Sequence, residues 1–234
     1  MIDLHTHILP QIDDGSQSVP ESVSLLREER RQGVDTVFLT PHFYAEENNP
    51  VSFLKKRYQA WRRLEPYLFP GLPMVRLGAE VQYFEGICAV EEIRHLRIVG
   101  TDYLLLEMPF SRWTDHMIAD VIELGERYEL RVILAHIERY LPKQQPETWK
   151  TLRANGVLMQ SNVSFFMGRK TQKQALAMLE RGEIHFLGSD CHSMRNRRPN
   201  WDALPAQAAV LYTQSDAYRS VKGLNTDGIH LSMM

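Results

Sequence analysis

Histidines and carboxylates recur at the ends of short apolar runs in this sequence. His5 and His7 follow Met1–Leu4, His42 follows Thr36–Leu39 and Glu80 follows Met74–Leu77. Glu107 follows Tyr103–Leu106, His136 follows Val132–Leu134, and Asp190 with His192 follow Ile184–Leu187. The loop after the first run adds Asp13 and Asp14, and only Val157–Met159 ends without such a residue, in Gln160-Ser161-Asn162. These side chains hold divalent cations or move protons. On a strand, His5-Thr6-His7 places both imidazoles on one face, where they can grip one ion, and Asp190-Cys191-His192 repeats the spacing. Gathering so many ionisable groups at one buried mouth costs several kcal/mol per uncompensated charge. Metal ions are the simplest compensation. Mixed imidazole and carboxylate donors suit manganese, iron or zinc better than calcium. A lone histidine is more often a packed or solvated residue, and His95, His116, His185 and His230 are read that way.

Positioning these groups requires strands that end on one side. The seven runs are rich in Val, Ile, Leu and Phe and too short for helices, as strands buried on both faces are. Helical patterns fill the gaps. Ser18-Val19-Pro20-Glu21 has the form of a capping box, with Val19, Val23 and Leu26 on one face and Gly33 as the stop. Thr171 and Gln174 open a second such helix ending at Gly182, and Glu91–Leu96, Asp115–Tyr128 and Pro146–Ala154 read the same way. From Asp202 onward the pattern predicts one or two helices, with Ser215 as a cap and Gly223 as a stop. About 33 residues per unit is the size of a βα repeat, and alternation of this kind implies a parallel sheet. No Gly-x-Gly-x-x-Gly or Walker-type loop supports a nucleotide-binding open sheet. The expected fold is therefore α/β: a single-domain, distorted (β/α)7 TIM-like barrel over 1–234, with the site at the C-terminal strand ends.

Composition narrows the class. The chain has 234 residues, is 44% hydrophobic and carries a net charge of −2. It is long enough to bury a full core, and it lacks the basic excess of a nucleic-acid or membrane-surface protein. No apolar run approaches the roughly 20 residues of a spanning helix. The opening MIDLHTHILPQIDDG has no basic region of a secretory signal, and two cysteines suit a reducing cytoplasm. The expectation is a cytoplasmic protein with no nucleic-acid partner and no direct membrane insertion.

MIDLHTHILPQIDDG, TPHFY, GAEVQ, LLLEMPF, AHIERY and GSDCHS together resemble the polymerase and histidinol phosphatase (PHP) superfamily. Within it they are most similar to the bacterial metal-dependent protein-tyrosine phosphatases of capsule and exopolysaccharide operons. The resemblance runs from Met1 to about Asn200. It implies three divalent metal ions, manganese before iron or zinc. One would take His5, His7, Glu80 and Asp190; a second would share Glu80 and add Glu107 and His136; the third would take Asp14, His42 and His192. It further implies hydrolysis of phosphotyrosine in proteins, with the tail of a bacterial tyrosine autokinase that controls polysaccharide synthesis as partner. Arg139 matches the family's His-x-x-Arg and would clamp phosphate through paired N–H groups. A second arginine comes from Arg197, favoured by its spacing from His192, or Arg198, favoured by the Arg-Pro dipeptide. The bland reading of both is a solvated basic loop.

Aromatic residues stand beside the ligands, among them Tyr44, Tyr83, Trp113 and Tyr140, with Phe43, Phe84, Phe110, Phe165 and Phe166 nearby. They would wall a slot for a substrate ring, or simply pack the loops. Asp13 would orient water or protonate the leaving oxygen, or make an Asx-turn with Gly15. Cys191 and Arg197 also spell Cys-x5-Arg, the signature of cysteine-dependent phosphatases. The intervening residues contain no glycine to let backbone N–H groups converge on a phosphate. Another PHP phosphoesterase, such as a histidinol phosphatase, would share the metals. An amidohydrolase also begins with His-x-His, but no lysine stands at a middle strand end. A non-catalytic binding module has no need of so many ligands.

Overall fold

Apolar runs become strands, and the stretches between them become helices. The computed structural model describes residues 1–223, so His230 lies outside the described residues. The strands are β1 (Ile2–Thr6), β2 (Thr36–Leu39), β3 (His42–Phe43), β4 (Met74–Leu77) and β5 (Glu80–Gln82). They continue with β6 (Tyr103–Glu107), β7 (Arg131–Leu134), β8 (Leu158–Asn162) and β9 (Phe186–Gly188). All pairings are parallel, in the orders β1-β2-β4 and β3-β5-β6-β7-β8-β9. The fold is mixed α/β.

The sheet curls. Asp190 N–H donates to the His5 carbonyl at 2.9 Å and His7 N–H to the Cys191 carbonyl at 2.9 Å, so β1 lies against the residues that follow β9. Gly188 permits this approach, since a Cβ there would stand 2.6 Å from the His5 Cβ. The expected runs Thr36–Leu39 and Met74–Leu77 form β2 and β4, and each is followed after a short break by a further strand beyond those expected. Thr40–Pro41 separates β2 from β3, and residues 78–79 separate β4 from β5. Pro41 has no N–H to donate to a ladder. At the second break, buried Arg57 donates to the Gly78 carbonyl at 2.7 Å and satisfies an acceptor there. β1 and β6 are buried along their whole length. Each fully buried aliphatic side chain, such as those of Leu104, Leu105 and Leu106, contributes roughly 1.5–3 kcal/mol.

The helices are α1 (Val19–Arg31), α2 (Pro50–Leu64), α3 (Asp115–Tyr128), α4 (Pro146–Ala154), α5 (Gln172–Glu180), α6 (Ala206–Gln214) and α7 (Asp216–Lys222). Ser18 caps α1 by accepting from Glu21 N–H at 3.3 Å, but the Glu21 carboxylate reaches back to Gln17 N–H instead of Ser18. The sequence reading missed α2. Its signals were present: Asn49 caps it, Pro50 opens it, and Phe53, Arg57, Ala60, Trp61 and Leu64 form its buried stripe. Thr171 does not cap α5, because its hydroxyl turns back to the Gly168 carbonyl. Glu91–Leu96 is a 3-10 helix. Ser215 caps α7 as expected, and Tyr212 donates to the Ile2 carbonyl at 3.1 Å, fastening this C-terminal segment to the start of β1.

Candidate metal centre

The strand order brings His5, His7, His42, Glu80, Glu107, His136, Asp190 and His192 to one mouth. Glu80 lies at its centre. His5 Nε2, His7 Nε2 and His42 Nδ1 stand 3.1, 3.3 and 3.0 Å from Glu80 Oε2, while His136 Nε2 is 3.0 Å from Glu80 Oε1 and 3.3 Å from Glu107 Oε1. Asp190 Oδ1 is 3.8 Å from His5 Nε2 and 3.5 Å from His7 Nε2. Asp14, at the exposed lip, is 3.7 Å from His42 and 3.4 Å from His192. Donor atoms lie within 4.8 Å of one another in three groups at this mouth: His5, His7 and Asp190; His42, Glu80 and Glu107; and His7, Asp14, His42 and His192.

These donors fit cations. Glu80 Oε2 and His42 Nδ1 are buried without a hydrogen-bond partner, although ring nitrogens crowd the carboxylate. His5 Nε2 and His7 Nε2 are 3.1 Å apart, with lone pairs that a shared ion would satisfy. The electrostatics agree. Burial opposes ionisation of Glu80, yet His5 first, with His136 and His7, holds its carboxyl well below the usual range. Burial also opposes protonation of His7, but Asp13 and Glu80 raise it to about 10. Burial, outweighed by Glu107 and Glu80, leaves His136 raised to about 9. The carboxylates thus draw in positive charge, as protons or as metal, and the two compete for the same nitrogens.

The surrounding elements hold these ligands in place. Asp13 Oδ2 accepts from His7 Nδ1 at 2.8 Å and from His42 N–H at 3.0 Å, while Oδ1 accepts from Gly15 N–H at 3.0 Å. Asp13 therefore orients His7 with one oxygen and closes an Asx-turn to Gly15 with the other. Gly15 is required there, because a Cβ would meet the His7 carbonyl at 2.1 Å. His136 and Asp190 both adopt positive φ, 31° and 55°, an uncommon backbone state for such residues and one that recurs at functional sites. Sequence reasoning passed over the sixth strand end, yet Gln160 and Asn162 serve the site. Gln160 Oε1 accepts from His136 N–H at 2.7 Å, and Asn162 Nδ2 donates to Asp190 Oδ2 at 2.9 Å. A buried amide pair at i, i+2 was the available signal. Asp3 was also missed: its carboxylate accepts from His5 N–H, Ser189 N–H and Trp201 Nε1–H beneath the ligands.

The structure separates the two arginine candidates. Arg139 and Arg197 reach Asp190 Oδ2 at 2.7 and 2.6 Å, and Arg197 also meets His192 Nε2 at 2.9 Å. Arg198 lies toward Glu28 of α1, whose carboxyl is held low chiefly by Arg31, with a minor contribution from Arg198. The aromatic expectations divide similarly. Tyr44 stacks on His42 with ring centres 4.9 Å apart. Tyr83 points to α3, donating to Asp120 at 2.6 Å. Trp113 is buried between Tyr140 and Trp149, and the buried Tyr140 hydroxyl accepts from Met108 N–H. Tyr83 and Trp113 pack the interior, while the Tyr140 ring is buried against His136 with centres 5.5 Å apart. Phe110 faces the mouth: it is 47% exposed and stacks on His136 at 5.8 Å. Cys191 is fully buried behind the site, its thiol 3.6 Å from Glu29 and raised well above the usual range by burial and by Glu29.

The chain is a mixed α/β protein whose curled parallel sheet carries His, Asp and Glu clusters at its strand ends. Residues 1–219 match the family model described as capsular polysaccharide synthesis, CpsB/CapC, and the chain belongs to that family. It is 29% identical over 208 residues to the tyrosine-protein phosphatase YwqE of Bacillus subtilis, covering 84% of this chain and 79% of that protein. The crystal structures of YwqE from Bacillus subtilis and CpsB from Streptococcus pneumoniae, unique metal-dependent tyrosine phosphatases, include a match with a TM-score of 0.74 at 22% identity. It covers 95% of this chain and 91% of that one. Histidinol phosphate phosphatase from Lactococcus lactis, complexed with zinc, L-histidinol and phosphate, matches with a TM-score of 0.56 at 13% identity, covering 91% and 92%. Among the described residues no helix is long and apolar enough to cross a membrane.

Proposed function

We propose that this chain is a metal-dependent phosphatase that hydrolyses phosphotyrosine in proteins. The observation that carries the reading is the convergence of three donor groups on one mouth beside two guanidiniums on Asp190. Family membership supports the phosphoprotein substrate. The finer reading makes the fold a single PHP-type domain of seven strand–helix units, with β2–β3 and β4–β5 as interrupted strands. In it, three divalent ions, manganese first, occupy His5, His7, Glu80 and Asp190; Glu80, Glu107 and His136; and Asp14, His42 and His192. When bound, they lower the pKa of water and withdraw charge from the phosphoryl oxygens.

The protein's own residues do the rest. Arg139 and Arg197 each keep N–H groups beyond those on Asp190, and these would bind the phosphate dianion and the charge that develops on it. Asn162 and the two arginines hold the Asp190 carboxylate in one orientation, and Asp13 fixes the His7 tautomer. Tyr44 and Phe110 flank the mouth and would receive the substrate ring. The phenol of tyrosine has a pKa of about 10, so it leaves as phenolate without a dedicated acid. The proposed partner is the tail of a bacterial tyrosine autokinase that controls polysaccharide synthesis, which this chain would meet in the cytoplasm.

The test is turnover of a phosphotyrosine peptide and of histidinol phosphate, before and after chelation, with manganese restored. The expected result is chelator-sensitive activity that manganese restores and that favours phosphotyrosine. Preference for histidinol phosphate would overturn the substrate assignment. Phosphotyrosine turnover that survives chelation would overturn the metal mechanism.

A further inference from the structure

The rim of the mouth is divided by charge. Loops after β6, β7, β8 and β9 carry exposed Arg112, Lys143, Arg169, Lys170, Arg195 and Arg198, besides Arg139 and Arg197 at the centre. Of the acids in these loops, Glu138 turns inward to Ser161 and Asn162, Asp190 takes the two central guanidiniums, and Asp202 reaches Arg31 of α1. The opposite loops, after β1, β3 and β5, carry exposed Asp14, Glu46, Glu47 and Glu85 and no lysine or arginine of their own over residues 7–18, 44–49 and 83–90; the cations that reach them, Lys56 on Asn48 and Arg63 on the Pro10 carbonyl, come from α2. The chain as a whole is nearly neutral, at −2. The division is therefore local to the site.

The basic half is also apolar. Phe110, Met167 and Met194 are 47%, 48% and 38% exposed on three of the same loops. Phe110 and Met167 are held by the structure: Arg139 lies 5.8 Å over the Phe110 ring, Lys143 binds the Phe110 carbonyl, and Asn200 donates to the Met167 sulfur at 3.5 Å. A rim of alternating cations and apolar side chains suits an extended peptide with acidic residues. A lipid surface or a nucleic-acid backbone would press its negative charge on the acidic half as well, and like charges across an interface cost several kcal/mol.

We propose that the mouth reads the charge of the residues flanking phosphotyrosine, docking an acidic flank on the loops after β6–β9 and rejecting it on the loops after β1–β5. The proposal deepens the phosphatase reading and rests on it for the central residue. Direction follows from the division: acidic residues on one side of the phosphotyrosine help, and on the other side they hinder.

The experiment compares phosphotyrosine nonapeptides with aspartates only before the phosphotyrosine, aspartates only after it, or alanines throughout. The manganese-loaded protein is used, at low and at 0.5 M salt. Binding is read in parallel by fluorescence anisotropy, with non-hydrolysable phosphonate versions of the same peptides. One acidic arrangement should exceed the alanine peptide by about five- to tenfold in kcat/KM and in affinity, and the advantage should collapse at high salt. In the double variant R169E/K170E the ratio of acidic to alanine peptide should fall toward one. A ratio is insensitive to the fraction of protein that is folded or metal-loaded. Equal values for all flanks, or a ratio unchanged in the variant, would overturn the docking proposal while leaving the phosphatase reading intact. Selective binding of an acidic phosphonate peptide without turnover of any phosphotyrosine peptide would uphold the docking proposal and overturn the phosphatase reading. Displacement of bound peptide by vesicles of anionic phospholipid, but not of neutral phospholipid, would reassign the basic half to a lipid surface.

Discussion

Asp13 Oδ2 lies 2.8 Å from His7 Nδ1 and also accepts the His42 backbone N–H at 3.0 Å, so one carboxylate oxygen ties the first strand's ligand to the second unit's. Replacing it by asparagine places an amide against the same imidazole and unsettles the tautomer that leaves His7 Nε2 free as a ligand. Asp13→Asn should weaken metal affinity by roughly 10–100-fold, the usual effect of removing such a partner. Manganese titration of activity and of bound metal checks this. Full activity should return at excess manganese, because Asp13 touches no reacting atom.

The arginines give a paired prediction. Arg197→Ala should lower kcat/KM on phosphotyrosine by roughly 10²–10³, the effect of losing one preorganised donor. Arg198→Ala should stay within about twofold on a small aryl phosphate, since Arg197 is the one that contacts Asp190 and His192. Steady-state kinetics on both variants decides between them. A reversal would mean that Arg198 carries the clamp.

Cys191 tests the competing chemistry. It sits between two proposed ligands, yet its thiol faces Glu29, where burial first and Glu29 next disfavour the thiolate. Cys191→Ser should keep turnover within about threefold, because a nucleophile must be reachable and ionised. Loss of all activity in a variant that still binds manganese would transfer the reaction to this sulfur.

His185 supplies the pH dependence away from the site. Its Nδ1 accepts the Met159 N–H at 3.0 Å, and burial, with Arg131 and Arg153, lowers its pKa to about 4. The unfolded chain therefore binds a proton near pH 6.5 that the folded one refuses. Stability is unaffected above that pH and falls as pH drops from about 6.5 to 4, by up to about 3 kcal/mol. His185→Asn keeps an acceptor and removes the titration. Urea unfolding at pH 7 and pH 4.5 should show the wild-type protein losing about 2–3 kcal/mol more than the variant.

The sequence exposed the ligands more fully than their supports. Strand ends marked by His5, His7, His42, Glu80, Glu107, His136, Asp190 and His192 were legible because charged groups after apolar runs stand out by type. The breaks at Pro41 and Gly78 were less legible, since a two-residue interruption hardly disturbs an apolar run. Gln160 and Asn162 escaped because a buried amide resembles any polar strand end until its partner, Asp190, is seen across the sheet. Tyr83 and Trp113, which turn to other elements, show a related limit. Adjacency to a ligand in sequence does not say which side of the backbone a ring takes, whereas Phe110 faces the mouth on a looser loop.

The bond from Ser189 N–H to Asp3 Oδ1 joins residues 186 positions apart, and beside it Asp190 N–H caps the His5 carbonyl. A ribosome adding about 5–20 residues per second leaves β1 waiting roughly 10–40 s for the segment that completes its edge. During that interval the His5–His7 pair, already synthesised, lacks Asp190 and His192. Donor groups that include Asp190 or His192 can be completed only near the end of synthesis, whereas His42, Glu80 and Glu107 are all made well before it.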